Sequence, residues 1–187
     1  MVYGLVKSQV ADLLEVCIQI ETARAQLYYD LLRLFTEPAQ VRLLWWNLCD
    51  EAYRHTAALT FIKGEVELEP EVLKLEFLDE DQDRLDHLLR LVERYKRRVR
   101  GGHITLEDAF KMAVRLRTCG VENLYDRILN GVDPIIGEMA TRSLRPIQHG
   151  WIDLAKTIES CSTDEILLSR VRRLMRGGGR IIHGDDR

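Results

Sequence analysis

Apolar residues recur three or four positions apart along most of this chain, the period of a helix that buries one face. Val10, Leu13, Leu14, Cys17, Ile20, Leu27, Tyr28 and Leu31 follow it between Ser8 and Phe35 without a glycine or proline, which predicts one long amphipathic helix. Thr36-Glu37-Pro38 then offers a cap with proline in the first turn, and Val41, Leu44, Trp45, Leu48, Tyr53, Leu59 and Ile62 carry a second helix to Gly64. So short a link makes the two antiparallel neighbours. Glu65 to Leu78, with Pro70 inside it, reads as a connection. Leu85, Leu88, Leu89, Val92 and Tyr95 mark a third helix from Asp79 to Arg100, whose acidic start and basic end suit the helix dipole and which Gly101-Gly102 ends.

Thr105-Leu106-Glu107-Asp108 predicts the start of a fourth helix, running through Phe110, Ala113, Leu116, Leu124 and Ile128 to Asn130-Gly131. A fifth begins at Asp133-Pro134 and reaches Ser160, with a kink expected near Pro146. Ser162-Thr163-Asp164-Glu165 has capping-box spacing before a short amphipathic helix that sets Arg170, Arg172, Arg173 and Arg176 beside Ile166, Leu167, Val171 and Leu174. The pattern implies an all-α fold: a single domain over 1–176, an antiparallel four-helix bundle with an extra helix in the central crossover and a short C-terminal helix. A flexible tail is expected over 177–187.

With 187 residues, 46% hydrophobic and 30% charged, the chain suits one soluble, well-cored domain, and only 4 prolines leave room for long helices. Its apolar runs, such as Leu43-Leu44-Trp45-Trp46, fall far short of the roughly 18 residues that span a bilayer. Met1-Val2-Tyr3-Gly4-Leu5 lacks the basic-then-apolar layout of a signal peptide, so a cytoplasmic location and no membrane partner are expected. Cys17, Cys49, Cys119 and Cys161 form no CxxC and read as buried free thiols. A net charge of −3 argues against a nucleic-acid partner. Gly177-Gly178-Gly179 follows a helix instead of preceding one, unlike a phosphate loop, and no nucleophilic triad is apparent.

Shifted by 96 residues, the chain lays Glu21-Thr22 on Arg117-Thr118 and Tyr29-Asp30 on Tyr125-Asp126, as two related helical hairpins would. At these residues Ile18-Gln-Ile-Glu21-Thr-Ala-Arg-Ala-Gln-Leu-Tyr28-Tyr29 resembles the first helix of rubrerythrins and related ferritin-like proteins. Asp50-Glu51-Ala52-Tyr53-Arg54-His55-Thr56-Ala57 resembles the ligand-bearing part of their second helix, and Ile104 to Ala113 the entry to their third. The resemblance implies a ferritin-like bundle in which each half supplies a Glu and a Glu-x-x-His to a di-iron centre.

Carried over residue by residue, the resemblance makes Glu21 and His55 ligands, but the position three before His55 is Ala52, leaving Glu51 as the nearest carboxylate. In the second half Arg117 stands opposite Glu21, and His149 matches His55 once the offset falls to 94, with Pro146 where a carboxylate should be. A cation in that shell opposes metal binding. The expectation is therefore a degenerate site with no cofactor: an internal ion-pair cluster in which Glu21 faces Arg117 and Glu51 faces Arg145, near His149.

A single iron on Glu21, Glu51 and His55, helped by Glu138 or Glu122, is the metal-bearing alternative, and with it an atypical iron-dependent oxidoreductase acting on peroxide or oxygen. The plain reading makes Glu21 and Glu51 solvated, His55 and His149 core-edge imidazoles, and Trp45, Trp46 and Trp151 packing residues. The leading expectation is a non-catalytic structural, binding or regulatory protein that forms a homodimer. The alternative interaction module uses the 79–100 helix or the Arg-rich final helix, the latter against an acidic protein partner.

Overall fold

A computed structural model describes the backbone of residues 7–69, 79–119, 121–144 and 147–176, and side chains within 10–69, 81–119, 124–140 and 151–176. Among the described residues there is no strand. The helices described are α1 (Lys7–Leu34), α2 (Ala39–Leu68), α3 (Asp79–Arg100), α4 (Leu106–Arg117), α5 (Val121–Gly131), α6 (Pro134–Leu144), α7 (Ile147–Cys161) and α8 (Glu165–Arg176). None of them is long and apolar enough to cross a membrane.

Helix α2 runs past Gly64 to Leu68, so the first residues of the expected connection are helical; the rest of it, at 70–78, lies outside the described residues, as does the tail at 177–187. The fourth helix expected from the pattern is two helices. Thr118 closes α4 locally: its amide reaches the carbonyls of Val114 and Arg115 at 3.0 and 3.2 Å, and its hydroxyl donates to the same two at 3.0 and 3.1 Å. Cys119 Sγ also donates to the Arg115 carbonyl, at 3.1 Å, so the last turn is satisfied without a continuing helix. The expected fifth helix is described in two stretches, α6 and α7, and the kink expected near Pro146 lies outside the described residues.

Caps set several of these ends. Thr105 and Asp108 form a reciprocal capping box at the start of α4. Asp133 accepts from the Ile135 amide at the start of α6, at 2.9 Å. Before α8 the cap is Asp164, whose Oδ1 accepts from the amides of Ile166 and Leu167 at 3.0 Å each, and not the expected Ser162. Ser162 instead donates to Glu107 at 2.6 Å, tying this end to α4. Gly102 follows α3 at φ 75°, the left-handed backbone that a residue without Cβ adopts freely.

Helix directions follow from the contacts. Glu15 meets Lys63, Ala25 meets Cys49 and Tyr28 stacks on Trp45, so rising numbers on α1 meet falling numbers on α2 and the pair is antiparallel. Trp45 packs on Phe110 and Glu51 pairs with Arg117, so α2 and α4 run parallel. Gln40 meets Ser160 and Asn47 meets Asp153, which makes α7 antiparallel to α2. Helix α3 ends against α1 through Arg100 and Asp30, and Arg98 on Asp108 joins that end to the start of α4. Its 22 residues reach roughly 33 Å, the length needed to return the chain to the end from which α4 can run parallel to α2.

The shared core draws Leu14, Ile20, Leu27 and Leu31 from α1, Leu44, Trp45, Leu48 and Leu59 from α2, Leu88 and Val92 from α3, Phe110 and Ala113 from α4, and Leu154 and Ile158 from α7. Trp45 and Trp151 are buried as expected of packing residues, whereas Trp46 points outward with 59% of its surface exposed. All four cysteines are free; Cys17 and Cys49 are buried, but Cys119 and Cys161 are half-exposed, a correction to the expectation for all four.

Candidate functional site

Charged groups occupy the middle of this core. Glu21 and Arg24 from α1, Glu51 and His55 from α2 and Arg117 from α4 are each at most 4% exposed. On α1 the buried stripe Cys17, Glu21, Arg24, Tyr28 and Leu31 advances by four and three, so Glu21 and Arg24 face inward with the apolar residues of that stripe. Glu51 and His55, four apart, share the inward face of α2 with Leu48, Leu59 and Ile62.

Arg117 grips Glu51 with both arms of its guanidinium: Nη1 donates to Oε1 at 2.9 Å and Nη2 donates to Oε2. Glu21 Oε1 accepts from Arg24 Nη1 at 2.7 Å and from the phenol of Tyr125 on α5 at 2.8 Å. His55 lies between the carboxylates, with Nδ1 3.4 Å from Glu21 Oε2 and Nε2 3.9 Å from Glu51 Oε1, and its ring meets Tyr125 edge-on with centroids 5.8 Å apart. Neither ring nitrogen makes a hydrogen bond of good geometry within the described residues.

The electrostatics follow from this packing. Burial raises the Glu21 carboxyl pKa, but Arg24, His55 and the Tyr125 hydroxyl outweigh it and hold the value at about 2. Burial works against the Arg117 charge too, and Glu51 reverses that, so its pKa lies above the ordinary value. The Tyr125 phenol is pushed well up by burial and by the Glu21 charge, which keeps it protonated as the donor. Burial, Glu21 and Asp81 likewise raise the Cys17 thiol, leaving it un-ionised. Two acidic side chains, Glu21 and Glu51, therefore face two guanidiniums, Arg24 and Arg117, around His55.

The expected pairing is corrected. Arg117 is buried, but its partner is Glu51; Glu21 takes Arg24 on its own helix. Because α4 packs parallel to α2, Arg117 arrives level with Glu51, whereas the 96-residue offset relates it to Glu21 only as an equivalent position. Arg145, the expected partner of Glu51, lies outside the described residues, as do the side chains of His149 and Glu122. Glu138 is exposed. The sequence reading missed Arg24 and Tyr125. Arg24 was detectable as a cation on the apolar stripe of α1; Tyr125 matches Tyr29 in the repeat, yet Tyr29 is 48% exposed and Tyr125 is 1% exposed.

The donor set does not fit a metal ion. Among the described residues no group of three or more His, Cys, Asp or Glu side chains is arranged to hold one. Arg24 and Tyr125 occupy Glu21 Oε1, and Arg117 occupies both oxygens of Glu51. The two carboxylates approach different nitrogens of His55, so the imidazole separates them instead of joining them around one point. No family model, curated protein or solved structure matches this chain.

Proposed function

We propose that this chain is a ferritin-like protein, akin to the rubrerythrins in layout, in which a buried charge cluster stands where the family holds its di-iron centre. Its role is then non-catalytic: a structural, binding or regulatory helical protein without peroxide or oxygen chemistry. The observation that carries this reading is the two-armed Arg117–Glu51 bridge, buried on both sides, which consumes the carboxylate a metal would need.

The helix directions support the ferritin-like layout. Helices α1 and α2 form one antiparallel hairpin, α4 with α5 follows parallel to α2, and α6 with α7 returns antiparallel to it, with one long crossover through α3. A single long crossover distinguishes ferritin-like bundles from simple up-down ones. The cluster takes residues from α1, α2, α4 and α5, so it ties the first hairpin to the third rod at mid-height.

Metal analysis of protein purified without chelators, from cells supplied with iron, tests the reading. The expected result is iron far below one ion per chain, unchanged by Glu21→Ala. Stoichiometric iron that disappears with Glu21→Ala would establish the oxidoreductase or iron-binding alternative instead.

A further inference from the structure

Helices α2 and α7 run antiparallel, yet their seam is not filled along its whole length. A groove of about 230 Å³ lies between Gln40, Leu43 and Asn47 of α2 and Asp153, Lys156 and Ser160 of α7. On both helices these positions advance by three and then four, so each turns one stripe toward the groove. Polar clasps close the two ends. Gln40 Nε2 donates to Ser160 Oγ at 3.1 Å and to Cys161 Sγ at 2.7 Å, and Asn47 Nδ2 donates to Asp153 Oδ2 at 3.4 Å. Between the clasps the α2 wall is apolar: Leu44 is buried, and Leu43 is 58% exposed at the rim.

The α7 wall carries two opposite charges, one helical turn apart. At the same spacing on α3, Glu93 and Lys96 close a pair at 2.7 Å. Asp153 and Lys156 form no such pair. Among the described residues Lys156 is exposed without an ion pair, and Asp153 takes only the long bond from Asn47. Both charges therefore stand beside the groove, unspent on each other.

We propose that this groove binds a small aliphatic zwitterion, an α-amino acid of about the size of leucine. Its ammonium pairs with Asp153, its carboxylate with Lys156, and its side chain lies on Leu43 and Leu44. The volume is below the range of drug-sized ligand sites, which limits the occupant to a small metabolite. The clasps at both ends leave no path for a peptide to run through. A plain anion would meet the Asp153 charge and a plain cation the Lys156 charge, whereas a zwitterion answers both. None of these side chains belongs to the buried charge cluster, so the proposal stands or falls separately from the loss of the metal site.

Heteronuclear NMR of the full chain, titrated with L-leucine, tests it through the side-chain amides of Gln40 and Asn47. Saturable shifts of both amides in the millimolar range are expected. Isocaproate, which lacks the ammonium, and isoamylamine, which lacks the carboxylate, bind at least about tenfold more weakly. Leucine weakens by a similar factor against Asp153→Asn or Lys156→Met, while the urea midpoint of each variant stays at the wild-type value. The ligand comparison reads the same contacts on the unaltered chain. Arg94→Met, on the outward face of α3, leaves leucine binding unchanged. The absence of a saturable shift up to the solubility of leucine overturns the proposal. So does saturation that neither groove variant weakens, or equal binding of leucine and isocaproate, which would make the groove a site for carboxylates alone.

Discussion

Glu21 shows how much one buried carboxylate depends on its neighbours. With a folded-state pKa of about 2 against an ordinary 4.5, it favours the folded state by roughly 3 kcal/mol wherever it is ionised in both states. Because the folded value is the lower one, this stabilisation is complete above about pH 4.5 and is lost as the pH falls toward 2. Urea unfolding followed across that interval should show stability falling with acid in the wild type and a shallower fall in Glu21→Gln; equal slopes would mean that Glu21 is not held ionised by its neighbours. The residues of the cluster were partly legible beforehand. Glu21, Glu51 and His55 stand on inward helical faces at spacings that draw attention, and Arg117 falls on the stripe of Phe110 and Ala113. Which carboxylate Arg117 meets was not legible, since that depends on the relative direction and height of two helices far apart in sequence. Tyr125 was hidden for a different reason: the repeat aligns it with Tyr29, but the interruption after Arg117 changes which side of α5 faces the core.

At the level of elements, hydrophobic periodicity was a good guide to where helices run and a poor one to where they pause. Helix α3 has the bounds the pattern predicts, because an acidic start and paired glycines punctuate both ends. The pause between α4 and α5 escapes a pattern reading because the apolar positions keep their period across it. Among the described residues, the bonding of Thr118 and Cys119 to carbonyls of the preceding turn marks the stop. Asp164, and not Ser162, accepts from the first amides of α8; Ser162 accepts from the Asp164 amide one step earlier and donates to Glu107, a long-range contact that no local motif announces. Where the local motif is complete, as at Thr105 and Asp108, it forms as expected. Thr105→Ala removes the side-chain acceptor for the Asp108 amide and should cost about 1 kcal/mol in a denaturant titration, with the helix content of the folded protein unchanged. A change within error would show that the box does not limit stability at this end.

For the whole molecule, the cluster matters because it joins parts of the chain that are distant in sequence. Glu51 belongs to the first hairpin and Arg117 to the helix that follows the crossover, so their bridge bears on how the two halves are fixed. Buried ion pairs add little net stability over a well-packed apolar core, yet removing one partner strands the other, at about 3–5 kcal/mol. A double-mutant cycle is therefore the most direct measurement of the central claim. Arg117→Met and Glu51→Met should each destabilise the protein strongly in urea unfolding. The double variant should recover much of the loss, giving a coupling energy of roughly 2 kcal/mol or more. Additive losses, with no coupling between the two positions, would contradict the account, because Glu51 and Arg117 would then not be the bridge across the bundle.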